Sequence, residues 1–470
     1  MDTNYEIGMI GLGVMGRNML LNMADHGFPV AGYDKDPAKV EALRKESAGN
    51  NVQGATNIQD FIGLLKRPRA VMMLVPAGPP VDSVIADLLP HLEKGDLIID
   101  AGNSYFKDTN VHERDLAAKG IQFLGVGVSG GEEGARHGPS IMPGGPQDAY
   151  ERVRPVLEAV SAKVNGDPCV AYLGPGSAGH FVKTVHNGIE YALMQLLAET
   201  YHLMKLGLGL KDEELHEVYD TWNHGDLNSY LLEITAHIFA KIDETTGKRL
   251  VDQLVDVAKQ NGTGMWTSQS AMELQVPNPT IDFAVTMRDL SVLEKQRVAA
   301  AEIFNRPVPP FAGDRKLFLD RLERALYAAM IVSYAQGMAV LAAASEKYAY
   351  HLDLETVARI WRGGCIIRAA LLEDIRTAYR NQPGLANLLL DPELSKKMMG
   401  TQEDLRRVVC TAGEMGLPAP CFMTALAYFD GYRSAWLPAN LIQAQRDYFG
   451  AHTYERIDIK GTFHTDWTKA

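Results

Sequence analysis

Cysteine is scarce in this chain and basic residues are fewer than acidic ones, and each of these features argues against a class of protein. The 470 residues include four cysteines, and none belongs to a Cys-x-x-Cys pair, so we expect neither a zinc ribbon nor a disulfide framework. Acidic residues outnumber basic ones by 58 to 46, which gives a formal net charge of −12. An acidic chain of this kind does not predict a nucleic-acid partner.

Long apolar runs are also missing. We find no basic segment followed by an apolar one near the N-terminus, and no stretch that approaches the ~20 apolar residues of a membrane span. We therefore expect no membrane partner and a reducing cytoplasm as the compartment. Hydrophobic residues make up 46% of the chain and charged residues 22%. These values are typical of a globular protein, and the length favours two or three domains.

The first part of the chain alternates between apolar strand patterns and amphipathic helix patterns. Strands are predicted at 6–10, 28–33, 70–75, 97–100, 122–126 and 169–173. Helices are predicted from Met15 to the His26-Gly27 pair and over 108–119, where Gly120 follows. This alternation predicts the α/β class, with a largely parallel sheet covered by helices on both faces.

A glycine-rich turn connects the first strand to the first helix. It reads Gly11-Leu12-Gly13-Val14-Met15-Gly16. In this pattern the first glycine permits a tight turn, the second lets a pyrophosphate approach the backbone, and the third lets helix and strand pack closely. The phosphates would then bind free N–H groups at the helix N-terminus. The turn predicts a dinucleotide site, and a glycine-rich turn for another ligand is the alternative.

Asp34, at the end of the second predicted strand, indicates which dinucleotide is preferred. Its carboxylate can accept hydrogen bonds from the adenosine ribose hydroxyls, whereas a 2′-phosphate would meet like charge. Two unit charges ~5 Å apart at an effective dielectric constant of ~20 repel by about 3 kcal/mol, which is roughly a hundredfold in affinity. Lys35 would offset part of this by turning towards the phosphate. We predict a preference for NAD over NADP, with use of both as the alternative.

Helical patterns dominate from about residue 179 to Trp436. A weak repeat runs through this part, because Trp222 is followed by Leu-Leu-Glu at 231–233 and Trp361 by Leu-Leu-Glu at 371–373. The repeat favours duplication of a helical unit, and coincidence between amphipathic helices is the alternative. The last stretch, 438–470, shows no clear periodicity, and its aromatic residues favour packing against another surface.

One face of the helix predicted after His180 carries five polar residues. They are Lys183, His186, Asn187, Glu190 and Tyr191. Their offsets follow the 3.6-residue period, so they share one helical face. An amine, an imidazole, an amide, a carboxylate and a phenol on one face are typical of a reaction centre. An ion-pair face at the edge of a core is the alternative.

Four segments, in order along the chain, carry a family resemblance. They are 98–103 (IIDAGN), 127–134 (GVSGGEEG), 183–191 (KTVHNGIEY) and 445–453 (QRDYFGAHT). Together they closely resemble the decarboxylating 6-phosphogluconate dehydrogenases, within the β-hydroxyacid dehydrogenase group. The resemblance implies a Rossmann domain at 1–178 and an all-α substrate and dimerisation domain with a duplicated unit at 179–436. It also implies an extended C-terminal tail, 437–470, that reaches the active site of the second subunit in a homodimer.

The resemblance also implies a reaction. The substrate 6-phosphogluconate would be oxidised at C3 and lose carbon dioxide, giving ribulose 5-phosphate, with NAD or NADP as the oxidant and no metal. Lys183 resembles the family's base, and a lysine can act as a base only when burial or a cationic neighbour deprotonates it. Glu190 resembles the acid that protonates the enol carbon, a role that a raised pKa would suit.

The remaining family positions predict binding contacts. Substrate contacts are predicted at Asn103, Ser129, Gly130, Gly131, His186, Asn187, Tyr191, Asn261, Arg288, Arg446 and His452. Cofactor contacts are predicted at Gly11, Leu12, Gly13, Val14, Met15, Gly16, Asp34, Lys35, Asp36, Val75, Pro76, Ala77 and Asn103. Tyr191, Arg288 and Arg446 match the family's phosphate contacts. His186 has the alternative of a core histidine, and Arg446 with His452 that of a tail-docking pair.

The chain departs from the family pattern at several positions. Asn261 replaces a lysine before Gly-Thr-Gly-x-Trp, where Lys259 is a nearby substitute, and Pro76 replaces a lysine near the cofactor. Asp34 with Lys35 replaces an Asn-Arg pair and Gly13 an alanine, and both changes favour the NAD pattern. Two other functions stay open: a β-hydroxyacid dehydrogenase for a different, non-phosphorylated sugar acid, and a catalytically silent binding protein on the same fold.

Overall fold

The computed structural model of the chain describes residues 5–47 and 51–469. By compactness the chain divides into a large unit that ends at Ala425 and a small unit that begins at Leu426. The expected division at residues 178 and 436 stays a prediction.

A seven-stranded sheet lies in the first part of the large unit. Its strands are β1 (Ile7–Ile10), β2 (Val30–Tyr33), β3 (Val52–Ala55), β4 (Ala70–Met73), β5 (Leu97–Asp100), β6 (Gln122–Ser129) and β7 (Ser140–Gly144). They lie in the order β3-β2-β1-β4-β5-β6-β7. Neighbouring strands are parallel except β6 and β7, which are antiparallel. The prediction of a largely parallel sheet is confirmed.

Both faces of the sheet are covered by apolar side chains from helices. The helices are α1 (Val14–Asp25), α2 (Pro37–Glu46), α3 (Ile58–Leu64), α4 (Pro79–Leu88), α5 (Phe106–Ala117), α6 (Gly131–His137) and α7 (Gln147–Val160). Alternate residues of one strand enter different cores: Met72 packs in one hydrophobic cluster, and Val71 and Met73 pack in the other. This alternation places a separate core on each face of the sheet.

Some strand predictions are wrong in detail. Residues 169–173 do not form a strand. They follow a short hairpin of β8 (Lys163–Val164) and β9 (Asp167–Pro168), and Val170 makes an isolated bridge to Ile141. The strands β3 and β7 were not predicted. Pro143 interrupts the apolar pattern of β7, and a proline is tolerated there because β7 is an edge strand.

Helices dominate the chain from Ala178 to Tyr432. They are α8 (Ala178–His202), α9 (Asp212–Trp222), α10 (Tyr230–Ala240), α11 (Thr263–Glu273), α12 (Pro279–Ser291), α13 (Glu294–Ile303), α14 (Arg315–Lys347), α15 (Leu354–Trp361), α16 (Leu371–Asn381), α17 (Pro392–Met415) and α18 (Pro420–Tyr432). Short 3-10 turns occur at Leu89–His91, Leu250–Gln253 and Leu388–Leu390, and a π turn at Leu203–Gly207.

The duplicated helical unit is confirmed. A long helix, α8 or α14, is followed in each copy by a pair of shorter helices, α9 with α10 or α15 with α16. The equivalent loops of the two copies pair with each other, since Ser229 forms an antiparallel bridge with Ala369. The backbone N–H of Tyr230 donates to the carbonyl of Arg368 at 3.1 Å. The loops before α10 and α16 therefore meet.

The expectation that no segment resembles a membrane span is wrong for one helix. By length and composition α14 is apolar enough to cross a membrane, but 89% of its apolar window is buried inside the protein. Its polar residues Ser333, Tyr334 and Gln336 are fully buried as well. These features are those of a long core helix.

The small unit, from Leu426 onward, contains more regular structure than the sequence pattern predicts. It includes α19 (Ala439–Gly450) and a short antiparallel hairpin of β10 (Tyr454–Glu455) and β11 (Thr462–Phe463). Leu441, Ile442 and Phe449 on α19 are all exposed. Because the helix buries no apolar stripe within this unit, hydrophobic periodicity gave no signal for it.

Candidate active site

Two glycines bring α8 against strand β6. A Cβ atom on Gly127 would collide with the side chain of Lys183, and a Cβ on Gly179 would collide with the carbonyl oxygen of Gly125. The helix can therefore approach the sheet closely only because these side chains are absent. Val182, Val185 and Ile189 pack α8 inward and are fully buried. This packing fixes the polar face of α8 at the C-terminal end of β6.

Lys183 is a buried amine. The residue is 5% exposed, and its Nζ lies 3.4 Å from Nδ1 of His186. Burial lowers the pKa of the Lys183 amine, and the nearby Glu190 and Cys365 offset part of this effect. Desolvation disfavours the charged form of an amine. The site therefore favours the neutral lysine that a general base requires.

Glu190 is a largely buried carboxyl about two turns after Lys183 on α8. Its side chain is 20% exposed, and Oε2 lies 3.8 Å from Nδ1 of His186. Burial raises the pKa of Glu190, and the charges of Lys183 and Arg288 offset part of the rise. The site therefore favours a protonated carboxyl, which can act as a general acid.

His186 lies behind these two groups and is fully buried. Its Nδ1 is 3.1 Å from Oδ1 of Asn187, and its Nε2 is 3.3 Å from Oγ of Ser129. Burial and the neighbouring Lys183 lower the pKa of the imidazole well below its ordinary value. The ring is therefore neutral, and Trp361 packs edge-on against it. A substrate contact for His186 stays a prediction.

A cavity of about 370 Å³ opens in front of Lys183 and Glu190. The sequence-predicted residues that line it are Asn103, Ser129, Gly130, Gly131, Lys183, Asn187, Glu190, Tyr191, Asn261 and Arg288, with Met15 of the glycine turn. The side chains come from segments far apart in sequence. The structure thus brings together most of the predicted catalytic and substrate-binding residues of the large unit, and His186 does not line the cavity.

Several lining residues were not predicted as site residues. They are Val128, Met194, Lys259, Gln260, Thr263 and Ile366. Val128, Gln260 and Thr263 adjoin or nearly adjoin predicted positions, and this proximity was the available signal. Ile366 follows the tryptophan of the second helical repeat, and only the fold brings it to α8. Its backbone N–H donates to Oγ of Ser129 at 3.4 Å.

One side of the cavity carries positive charge. The guanidinium of Arg288 stacks on the ring of Tyr191, with its central carbon 3.5 Å from the ring centroid. Arg288 also donates to the carbonyl of Lys259 at 3.1 Å. The stack and the hydrogen bond fix the orientation of this fork-shaped donor, and Lys259 adds a second cation. This side of the cavity suits an anionic group.

A second cavity, also about 370 Å³, lies beside the glycine turn at the C-terminal ends of β1, β2 and β4. Of the predicted cofactor residues, Gly11, Gly13, Asp34, Lys35, Val75 and Pro76 line it; the others there are Ile10, Tyr33, Lys39, Ile58, Leu74, Pro80, Ser83, Val84 and Asp87. Met15 and Asn103 instead line the cavity in front of Lys183 and Glu190, hereafter the substrate cavity. Leu12, Val14, Gly16, Asp36 and Ala77 line neither.

The glycine turn fits a dinucleotide. Gly11 has a φ of +89°, and a Cβ on Gly16 would collide with the carbonyl oxygen of Gly11. A Cβ on Gly13 would meet no atom within 4 Å, so the bare backbone there faces open space at the N-terminus of α1. The first and third glycines serve the turn and its packing, and the second leaves room for phosphate oxygens.

Hydrogen bonds from the glycine turn and from residues that follow β2 hold the carboxylate of Asp34 in place. Its Oδ2 accepts a hydrogen bond from the N–H of Leu12 at 2.9 Å and lies 3.3 Å from Nζ of Lys39. Its Oδ1 accepts from the N–H of Asp36 at 2.9 Å. Burial alone would raise the pKa of Asp34, but these hydrogen bonds outweigh it and hold the pKa below its ordinary value. Lys35 pairs with Asp87 at 2.8 Å.

The predicted residues of the tail belong to the small unit. Arg446, on α19, and His452, after its end, are both exposed. A contact between these side chains and substrate stays a prediction. Among residues 5–47 and 51–469, no group of three or more His, Cys, Asp or Glu side chains converges in a way that could hold a metal ion.

Comparison with known proteins agrees with this geometry. A family model for the NAD binding domain of 6-phosphogluconate dehydrogenase matches residues 6–174, and one for the C-terminal domain of 6-phosphogluconate dehydrogenase matches residues 179–467. A Bacillus subtilis (strain 168) protein named 6-phosphogluconate dehydrogenase, NADP(+)-dependent, decarboxylating is 52% identical over 468 residues, covering 99% of this chain and 100% of that protein. The decarboxylating 6-phosphogluconate dehydrogenase of Escherichia coli (strain K12) is 49% identical over 466 residues, 99% of each chain.

A solved structure resembles the whole chain. It is the 6-phosphogluconate dehydrogenase of Plasmodium falciparum, described in its apo form and in complex with NADP+ and with 6-phosphogluconate. It has a TM-score of 0.95 and 45% sequence identity, and the match covers 98% of this chain and 100% of that one. On this similarity and the family-model matches, the chain belongs to the 6-phosphogluconate dehydrogenase family.

Proposed function

We propose that this family member catalyses the oxidative decarboxylation of 6-phospho-D-gluconate to D-ribulose 5-phosphate and carbon dioxide, with a nicotinamide dinucleotide as the oxidant. The observation that carries the proposal is the convergence of a buried amine, Lys183, and a largely buried carboxyl, Glu190, on one cavity. That cavity also has a cationic side at Arg288 and reaches Met15 of the glycine turn. The names of the relatives at 52% and 49% identity support the same activity.

Lys183 begins the proposed reaction as a neutral amine. It takes the proton of the C3 hydroxyl while the hydrogen on C3 leaves with its electron pair, and the bound nicotinamide dinucleotide supplies the hydride acceptor. The product of this step is a 3-keto acid. The ammonium form of Lys183 then hydrogen-bonds the new ketone oxygen, which draws in the electrons of the C1–C2 bond as carbon dioxide leaves.

Glu190 completes the proposed reaction as a general acid. As carbon dioxide leaves, the Lys183 ammonium gives its proton to the oxygen, so the product is an enol. Glu190 then gives its proton to the enol carbon, while the enol hydroxyl returns its proton to Lys183 and becomes a ketone. Lys183 then carries one proton more than at the start and Glu190 one fewer. Transfer of one proton from the amine to the carboxylate resets the pair. Burial of both groups supports these roles, because it favours the neutral amine and the protonated carboxyl.

We also propose that NAD is favoured over NADP. The Bacillus subtilis relative is named as NADP(+)-dependent, so this chain would differ from it. Support comes from Asp34 and Asp87, two carboxylates that line the cavity beside the turn. Lys35 is already paired with Asp87, and Lys39 lies against Asp34. A 2′-phosphate would have to compete with these carboxylates for both lysines.

The proposal includes a homodimer in which the tail of one subunit reaches the active site of the other, in a reducing cytoplasm. Trp436, Leu441, Ile442 and Phe449 support a partner for the tail, because their large apolar side chains are exposed. The compartment is supported by the cysteines, all four of which are free.

The experiment is a spectrophotometric assay at the reduced-nicotinamide band, with 6-phosphogluconate and each cofactor in turn. We expect reduced cofactor and carbon dioxide in equal amounts, and a higher kcat/KM with NAD than with NADP. Gluconate, which lacks the phosphate, serves as the matched control and should react far more slowly. Equal turnover of gluconate, or reduction without carbon dioxide, would contradict the proposed substrate or reaction.

A further inference from the structure

Asp447, on α19, is a buried carboxylate between two exposed neighbours, Arg446 and Tyr448. Its side chain has no solvent-exposed surface. Four donors surround the carboxylate. One is close to the end of α19, the N–H of Thr453 at 2.9 Å, and three come from the last segment of the chain: Nδ1 of His464 at 2.9 Å, the N–H of Thr465 at 3.0 Å and Nε1 of Trp467 at 2.8 Å. A carboxylate with four such donors is firmly held in its ionised form.

The hydrogen bonds of Asp447 have a measurable electrostatic consequence. Burial alone would raise the pKa of this carboxyl. The hydrogen bonds from His464, Trp467, Thr465 and Thr453 outweigh burial and lower the pKa to about 2. The carboxylate is therefore charged throughout the physiological range, and its donors stay attached to it.

The same carboxylate holds the turn that presents His452. The residues on either side of His452 have left-handed backbone conformations, with φ of +50° at Ala451 and +61° at Thr453. Neither is glycine, so the turn persists only because other contacts hold it. Those contacts include the carbonyl and the side chain of Asp447, which accept from the N–H groups of Ala451 and Thr453 respectively, both at 2.9 Å.

Arg446 and His452 are left available by this arrangement. Within residues 5–47 and 51–469, neither the guanidinium of Arg446 nor the ring nitrogens of His452 form a hydrogen bond or ion pair, while the carboxylate between them in sequence is saturated. The imidazole lies edge-on to Phe449, with ring centroids 6.0 Å apart. Arg446 and His452 can donate hydrogen bonds, and the Asp447 carboxylate between them already has all its donors. The two side chains are therefore suited to bind an anion from outside the small unit.

We propose that Asp447 is a positioning residue that fixes Arg446 and His452 for binding of the substrate phosphate in a second subunit. This inference rests on the proposed function, because the phosphate belongs to 6-phosphogluconate. Asp447 itself contacts no substrate. It acts by tying the end of α19 to the residues after His452 and to the last segment of the tail, so that the two exposed side chains keep one arrangement.

The first test is Asp447→Asn in the full-length protein. The amide keeps the shape of the side chain but turns N–H groups towards donors, so the network should open. We expect the KM for 6-phosphogluconate to rise by about tenfold or more and kcat to change by less than about threefold, with the KM for NAD unchanged. Asp466→Asn is the matched control, because Asp466 is an exposed tail carboxylate, and it should leave all constants unchanged.

Gly450→Ala separates positioning from a merely structural role. A Cβ on Gly450 would lie 2.6 Å from Nε2 of His452, so the imidazole must move while the four donors to Asp447 stay in place. We expect a raised KM for 6-phosphogluconate with an unchanged thermal unfolding temperature. A wild-type KM in either Asp447→Asn or Gly450→Ala would overturn the inference.

Subunit mixing tests the second-subunit part. Chains with Asp447→Asn are co-expressed with chains carrying Lys183→Met, under different affinity tags, and the mixed species is isolated. In the mixed dimer, the active site of the Asp447→Asn chain keeps Lys183 and would receive the intact tail of the Lys183→Met chain. We therefore expect the wild-type KM at up to half the wild-type kcat. The KM of Asp447→Asn, or no recoverable mixed species, would contradict the inference. Failure of the wild-type protein to oxidise 6-phosphogluconate would instead contradict the proposed function.

Discussion

The two cavities of the large unit handle charge in opposite ways. Beside the glycine turn, charged groups lie near solvent in close pairs: Lys35 is 69% exposed and 2.8 Å from Asp87. In the substrate cavity, the amine of Lys183 is buried and the carboxyl of Glu190 is largely buried, and these two described side chains form no ion pair within 4 Å of each other. Exposed pairs keep fixed charges and select ligands by charge, whereas buried and separated groups have shifted pKa values and can exchange protons.

Removal of the buried amine should have the largest effect. We expect Lys183→Met to lower kcat by about 10²- to 10⁴-fold, the usual contribution of a general acid or base. Lys259→Met is the control, because Lys259 lines the same cavity without lying on the polar face of α8, and it should raise the KM for 6-phosphogluconate more than it lowers kcat. Steady-state kinetics of both variants decide the matter. A Lys183→Met enzyme with more than a tenth of wild-type kcat would refute the assignment.

A buried carboxyl outside both cavities extends the comparison to stability. Glu199 accepts hydrogen bonds from the N–H groups of Cys421 and Phe422, and burial raises its pKa from 4.5 to about 7. Its protonated form therefore stabilises the fold fully below pH 4.5, and this contribution is lost as pH rises through 7. The pKa difference corresponds to about 3 kcal/mol.

Denaturation of Glu199→Gln across this pH range measures that contribution. The glutamine stays neutral and keeps an acceptor, so the free energy of unfolding should fall less between pH 4.5 and 7.5 than in the wild type. Glu217→Gln, an exposed position on α9, should follow the wild type. Identical slopes for Glu199→Gln and the wild type would show that Glu199 titrates near its ordinary pKa.

The cofactor preference should respond less strongly, because its charges are already paired. We expect Asp34→Asn to raise kcat/KM for NADP relative to NAD by about tenfold, less than the like-charge estimate, since Lys39 lies 3.3 Å from the carboxylate. The asparagine oxygen can still accept from the N–H of Leu12. Asp60→Asn, an exposed carboxylate on α3, is the control. An unchanged NADP-to-NAD ratio would mean that Asp34 does not face the 2′-phosphate.

The smallest change is expected from adding a charge to the substrate cavity. Asn261 lines this cavity and is itself exposed, so Asn261→Lys should lower the KM for 6-phosphogluconate by about two- to fivefold, as expected for a partly screened cation near a phosphate. Asn261→Gln, which adds length without charge, is the control. Equal KM values for the two variants would indicate that the phosphate lies elsewhere.

The same comparison explains how much the sequence could predict. The glycine turn and Asp34 act through neighbours in the chain or at the end of the next strand, so local patterns predicted their positions. The polar face of α8 was predicted from helical periodicity. Neither pattern could show that His186 lies behind Lys183 and outside the cavity, because that depends on how closely α8 packs on β6.

The features that the sequence did not predict depend on packing between segments far apart in the chain. Ile366 reaches the cavity only because the loops of the two helical repeats meet at Ser229 and Ala369, and no local signal encodes that meeting. The helix α19 gave no periodic signal because its apolar residues are exposed within the small unit. The network around Asp447 was missed for a similar reason, since its donors come from positions up to 20 residues away.

The most direct test of the central claim is a pH titration of the lysine side chains by ¹⁵N NMR, comparing wild type with Lys183→Met. A buried and uncharged Lys183 predicts one amine resonance, absent from the variant, that titrates below the ordinary lysine pKa of 10.5. If every lysine titrates at or above 10.5, the amine is charged at neutral pH and Lys183 is not the base.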